Sequence, residues 1–204
     1  MKARPQSSPQ SQEGDYARLE IETPYPASWL VRFFSDPERL LRLNPLMTFD
    51  VIERRTPDLW RLKGRNEANG QAFDVTARVI PRENGWSIHW NGWLKNETRL
   101  EIVGPESGRL ILTDDYSATP LEERQRRIDE VDTSFTAWGQ AVHRYLNNLK
   151  RFAWLPGWRW FMTGPWIKMK PAGRRISVLL FWLTVAEFVF FLMVFTIFTL
   201  EYGE

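Results

Sequence analysis

The spacing of apolar residues changes along this chain, and each spacing predicts a different kind of element. In "MTFDVIERR", "DLWRLKGRN", "QAFDVTARVI", "GWSIHWNGW", "TRLEIVG" and "RLILTDDYSA", apolar and polar residues alternate, the pattern of strands with one buried face. Gly, Pro, Asn or Asp separate these segments, and the turns "ANG" (68–70) and "ENG" (83–85) suit antiparallel hairpins. Six strands form a meander, and "YARLEIET" upstream adds a seventh. Between them, "PASWLVRFF" from Pro26 and "DPERLLRL" from Asp36 read as two short helices. Asp36 is a good N-cap, Pro37 suits the first helical position, and Asn44–Pro45 stops the second helix. From about Leu121 to Phe152 the period becomes helical. Phe135, Trp138, Val142, Tyr145, Leu146, Leu149 and Phe152 fall on one side, with Thr136, Gln140, His143, Asn147 and Lys150 on the other. One long amphipathic helix is expected to cover the sheet.

Beyond residue 175 the alternation disappears. "ISVLLFWLTVAEFVFFLMVFTIFTL" (176–200) is apolar on all faces and 25 residues long, whereas about 20 suffice to cross a hydrocarbon core. A single membrane-spanning helix is expected. The start, "MKARPQSSPQSQEGDY", has no apolar run after Lys2 and Arg4 and does not read as a signal peptide. Charge divides the chain in the same way. Residues 1–150 hold 21 Lys+Arg against 22 Asp+Glu, while residues 151–175 hold 6 Lys+Arg and no acid. A basic flank marks the cytoplasmic side of a span, so Lys168, Lys170, Arg174 and Arg175 predict a tail-anchored protein whose soluble domain faces the cytoplasm. In the segment 154–175, Trp154, Trp158, Trp160 and Trp166 interleave with Arg159, Lys168 and Lys170. Such a segment is expected to lie on the bilayer surface, with the lipid as its partner. Nucleic acid is not expected, because the domain itself has no basic excess. The predicted organisation is a disordered tail (1–15), one domain (16–153), the interfacial segment (154–175), the span (176–200) and a short tail (201–204).

Strand, two short helices, six antiparallel strands and a long helix: this order resembles the START-like, or SRPBCC, superfamily. The residues that carry the likeness are "YPASWLVRFFSDPERLLRLNP" (25–45) and "DTSFTAWGQAVHRYLNNLKRF" (132–152), and it covers roughly residues 16–153. Together with an anchor, the likeness is greatest to the polyketide cyclase/dehydrase and coenzyme Q-binding branches. It implies an α+β helix-grip fold, in which a seven-stranded antiparallel sheet wraps on a long C-terminal helix. It also implies an apolar cavity used for lipids, quinones, polyketides or similar molecules.

Alternation independently groups Trp86, Ile88 and Trp90 on one face and Phe73, Val75, Ala77 and Val79 on another apolar face. With Leu112, Tyr116, Phe135, Trp138 and Val142, these supply the candidate ligand-binding residues: Phe73, Val75, Trp86, Ile88, Trp90, Leu112, Tyr116, Phe135, Trp138 and Val142. On the last strand Leu110, Leu112, Asp114 and Tyr116 share a face. Asp114 therefore either points into the cavity or is turned outward by a bulge near "TDDY", and a solvated strand-end position is the expectation. His89 is expected on the outer face and His143 on the polar side of the helix, so no metal site is expected, and no cofactor motif is present. If the domain were an enzyme, Asp114, Tyr116 and His89 are the candidate acid–base groups.

Three functions remain open from the sequence. One is a membrane-anchored carrier of an apolar small molecule. Another is a cyclase or dehydratase, and the third is an accessory subunit of a membrane complex. Glu187 bears on the last. A carboxylate near mid-bilayer costs a few kcal/mol on insertion scales, ~3 for a central Asp, and such groups face another helix or a polar cavity. Ser177, Thr184 and Glu187 lie on one side of the predicted helix, with Thr184 in reach of Glu187. This polar stripe is the candidate contact with a second transmembrane protein or another copy of the chain.

Overall fold

A computed structural model describes residues 16–93, 95–117 and 121–202, and of residues 121–133 only the backbone. The expected tail over 1–15 lies outside the described residues, as do 203 and 204 of the short tail at 201–204.

The alternating segments form β1 (Tyr16–Glu22), β2 (Met47–Arg54), β3 (Leu59–Asn66), β4 (Ala72–Arg82), β5 (Gly85–Asn91), β6 (Glu97–Val103) and β7 (Arg109–Asp115). Each pairs antiparallel with the next from β2 to β7, and β1 returns to pair with β7, giving the order β1-β7-β6-β5-β4-β3-β2. Register follows the hydrophobic pattern, because a slip by one residue would turn every side chain to the other face. Leu19 faces Leu112, Leu112 faces Leu100, and Leu100 faces Trp86, a continuous inner row. Among the described residues, the register shifts in β2, between Phe49 and Val51. Opposite it is Gly64, where a Cβ would run into the Thr48 carbonyl and the Phe73 ring, so only glycine permits this approach.

α1 (Ala27–Phe33) and α2 (Pro37–Arg42) lie where the sequence signals put them. The Asp36 carboxylate accepts from the Glu38 N–H at 3.1 Å, capping α2, and pairs with Arg54 of β2 at 2.7 Å. α3 (Leu121–Arg151) lays Phe135, Trp138, Val142, Tyr145, Leu146 and Leu149 into the core beside the inner face of the sheet. Two indoles lock the helices to this layer: Trp86 donates to the Phe34 carbonyl (2.9 Å) and Trp138 to that of Leu40 (3.0 Å). The result is a seven-stranded antiparallel sheet gripping one long helix.

The first compact unit continues past α3 to Lys168. After a turn come α4 (Trp158–Phe161) and a π-helical turn (Met162–Trp166). The Trp158 indole donates to the Asn148 carbonyl (3.2 Å) and the Tyr145 hydroxyl to that of Met162 (3.0 Å), so this segment folds back on the end of α3. Met162 and Ile167 are buried in the core, while Trp154 and Trp160 are 76% and 72% exposed. Only part of the tryptophan-rich stretch is therefore free to meet another surface.

The second unit, Met169–Glu204, consists of α5 (Pro171–Tyr202), 32 residues with none buried. It is long and apolar enough to cross a membrane.

Candidate functional site

The register of β7 decides where Asp114 points. It pairs without interruption with β1 (Ala17 opposite Asp114) and with β6 (Thr98 opposite Asp114). No bulge turns the side chain outward, and the expected solvated position is corrected: Asp114 is buried, 2% exposed. Alternation continues to the strand end because β7 has neighbours on both sides. A buried carboxylate needs partners, and three side chains supply them. The Thr98 hydroxyl donates to Oδ1 (2.5 Å), the Lys95 ammonium to Oδ2 (2.8 Å), and the Tyr116 hydroxyl lies 3.4 Å from Oδ2. Thr98 in turn accepts from the Trp90 indole at 2.9 Å. Lys95, in the turn between β5 and β6, sits 5.3 Å from the Trp90 ring centre and 5.5 Å from that of Trp138. Both rings hold the ammonium by cation–π attraction while Asp114 neutralises it.

This cluster forms one wall of a recess between the sheet, the α2–β2 connection and α3. Leu41, Asn44, Met47 and Phe49 close one side; Trp90, Trp93, Phe135 and Trp138 close the other. Its volume is 80 Å³, whereas small-molecule sites occupy about 300–1,000 Å³. Aromatic rings fill the difference: Trp93 stands 4.5 Å from Phe73 and 5.1 Å from Trp90, and Phe73 packs edge-on to Phe49. Trp93 and Phe73 are only partly buried and pack against the core from the side of the recess.

Of the candidate ligand residues, Trp90, Tyr116, Phe135 and Trp138 line the recess, and Phe73 packs behind Trp93. Val75, Trp86, Ile88, Leu112 and Val142 are buried in the general core and do not reach it. Among the candidate acid–base groups, Asp114 and Tyr116 come together. His89 does not join them: it lies on the outer face of the sheet, beside Arg78 and 3.9 Å from Glu97. Sequence reasoning missed Lys95, Thr98 and Trp93. The only signal for Thr98 is its register opposite Asp114, and none marks Lys95, which lies outside every alternating segment.

Within α5, the Thr184 hydroxyl donates to the Leu180 carbonyl one turn back (3.0 Å), and the Ser177 hydroxyl contacts the Met169 sulfur (3.8 Å). The expected Thr184–Glu187 bond is not formed, because the backbone carbonyl is the nearer acceptor. Among the described residues, no hydrogen bond or ion pair reaches the carboxyl group of Glu187.

No family model matches the chain. No curated protein sequence matches it either. Solved structures do. A START superfamily protein from Mycobacterium smegmatis is 20% identical, with 67% of this chain and 99% of that one covered and a TM-score of 0.50. The Zhui aromatase/cyclase from Streptomyces sp. R1128 is 15% identical, with 68% and 96% covered and a TM-score of 0.52. At these identities the likeness establishes the fold: the domain is a START-like helix-grip.

Proposed function

We propose that this protein is a membrane-tethered helix-grip module that takes an apolar small molecule, of lipid or quinone class, into the recess between sheet and α3. The observation that carries it is the presence, in one chain, of an aromatic-lined recess and a 32-residue apolar helix with no buried position. A domain tethered to a bilayer meets membrane-dissolved molecules at high effective concentration without any additional contact. The basic residues before Ile176 support a cytoplasmic placement of the domain. At 80 Å³ the recess is too small for such a ligand, so entry requires Trp93, in the turn after β5, to swing outward. Gly92, with φ 79°, provides a hinge at the start of that turn. Mass spectrometry of the detergent-extracted full chain tests the ligand: one copurifying apolar molecule per chain is expected. A chain that resists alkaline extraction from membranes but carries no such molecule would leave the tether and remove the carrier role.

A cyclase or dehydratase activity is the second reading, favoured by one observation: Asp114 and Tyr116 adjoin in the recess beside Lys95. It expects Tyr116→Phe to remove turnover of a polyketide-like substrate while leaving binding intact. A role as accessory subunit is favoured by Glu187, whose carboxyl group has no partner within α5 and would gain one from a second transmembrane helix, alongside Ser177 and Thr184.

A further inference from the structure

Apart from the recess, a second groove opens where α1, α2, the end of α3 and α4 meet. Three arginines line it: Arg32 from α1, Arg39 from α2 and Arg159 from α4, beside Trp29, Trp160 and Thr163. No acid is among its lining residues. Among the described residues, Arg32 and Arg159 enter no ion pair. Arg39 donates one N–H to the Phe33 carbonyl (3.2 Å) and lies over the Phe33 ring (4.8 Å), which leaves most of its five donors unused.

The three guanidiniums are brought together by the packing of α1, α2 and α4 around Phe33 and Tyr145. Tyr25, Trp29 and Phe33 stack along α1 at centroid distances of 3.9 and 4.7 Å and fix that helix against the core. The Tyr145 and Trp158 bonds described above fold α4 back beside it. Burial raises the Tyr25 hydroxyl pKa while the positive charge of Arg159 acts to lower it, so the field of this arginine extends into the packed aromatic stack. Three like charges converging without an acid repel one another. An anion offering several acceptor oxygens to planar guanidinium forks would relieve that repulsion.

We infer that this groove binds the phosphate of an anionic lipid headgroup. A lipid, rather than a free anion, is the occupant for two reasons. Trp160 lines the groove and is 72% exposed, with Trp154 at 76% on the same segment; amphipathic indoles settle at headgroup depth. Arg159 also precedes Pro171, the first residue of the apolar helix, by twelve residues (171 − 159), a tether of at most about 40 Å. The inference rests on the membrane reading of α5, and it assigns Arg32 and Arg39 a role that the linear sequence does not suggest.

The test uses the full chain in detergent and monomeric short-chain lipids, so that its outcome does not depend on bilayer insertion, which alkaline extraction reads separately. Native mass spectrometry compares dioctanoyl phosphatidylglycerol, dioctanoyl phosphatidylcholine and inorganic phosphate. The expected result is preferential retention of the anionic lipid. An Arg32→Gln/Arg159→Gln variant should lower its affinity roughly thirtyfold, given the contribution of each basic side chain near anionic lipid, while an Arg174→Gln/Arg175→Gln variant keeps it. Both substituted arginines of the first variant are exposed, and an unchanged melting temperature verifies its fold. Retained preference in the Arg32/Arg159 variant overturns the inference. So does inorganic phosphate competing as well as the lipid, which would make the groove a site for free anions.

Discussion

Asp114 and Glu187 both place a carboxyl group among apolar side chains, and the chain answers them differently. Around Asp114 the fold assembles an ammonium and a hydroxyl from Lys95 and Thr98, nineteen and sixteen residues away, and the phenol of Tyr116. Around the Glu187 carboxyl group no donor arrives from any described residue. A lone helix can offer a side chain only its neighbours three and four residues away. Here these are Leu183, Thr184, Phe190 and Phe191, and the hydroxyl of Thr184 already donates to Leu180. A sheet closing on a helix can satisfy a buried acid internally. A single apolar helix leaves that to whatever lies outside it.

The strongest way to break this comparison is to deprive Asp114 of its cation. Lys95→Met should destabilise the domain by about 3–5 kcal/mol, since it leaves a buried carboxylate uncompensated. Adding Asp114→Leu should recover most of that loss, and denaturant unfolding of the two variants measures both. If Lys95→Met unfolds like the wild type, the pair is not what holds Asp114 in place. Thr98→Val comes next. It removes the donor to Oδ1 and strands the Trp90 indole, a loss of about 1–3 kcal/mol in the same assay. Glu187→Leu should leave domain unfolding unchanged and weaken association of α5 with a second helix by about 1 kcal/mol, which chemical crosslinking in membranes would read as fewer adducts. Undiminished crosslinking would return Glu187 to a tolerated residue.

The smallest effect belongs to a third carboxylate, on the surface. Asp74 accepts two hydrogen bonds from Arg61 at 2.8 and 2.6 Å, and the hydrogen bond holds its pKa below the ordinary value. A depressed folded-state pKa contributes stability above the unfolded value of about 3.9, and that contribution disappears as pH falls through the lower folded value. Asp74→Asn should therefore lower the melting temperature slightly at neutral pH, and the difference should vanish in acid. A difference that persists at low pH would show that packing, not charge, is responsible.

Most of the fold was legible because its signals are local. Alternation marked the strands, Asp36–Pro37 opened α2, and the apolar positions from Phe135 to Leu149 named the buried face of α3. The recess was legible only on its apolar side. Trp90, Phe135 and Trp138 followed from periodicity, but the same rule also selected Val75, Trp86, Ile88, Leu112 and Val142, which pack in the core. Periodicity tells which face is inward and cannot tell core from cavity wall, because both want apolar surface.

By itself, then, the sequence determined the order of elements, the face each strand and helix buries, and an apolar helix over Pro171–Tyr202. These depend on residues within a few positions of one another. Only the tertiary structure decided that Asp114 turns inward onto Lys95, that aromatic rings nearly fill the recess, and that Arg32, Arg39 and Arg159 meet at one groove. Such encounters join residues up to 127 positions apart (159 − 32). They are set by strand register and by how helices pack across a sheet, and no local pattern encodes either.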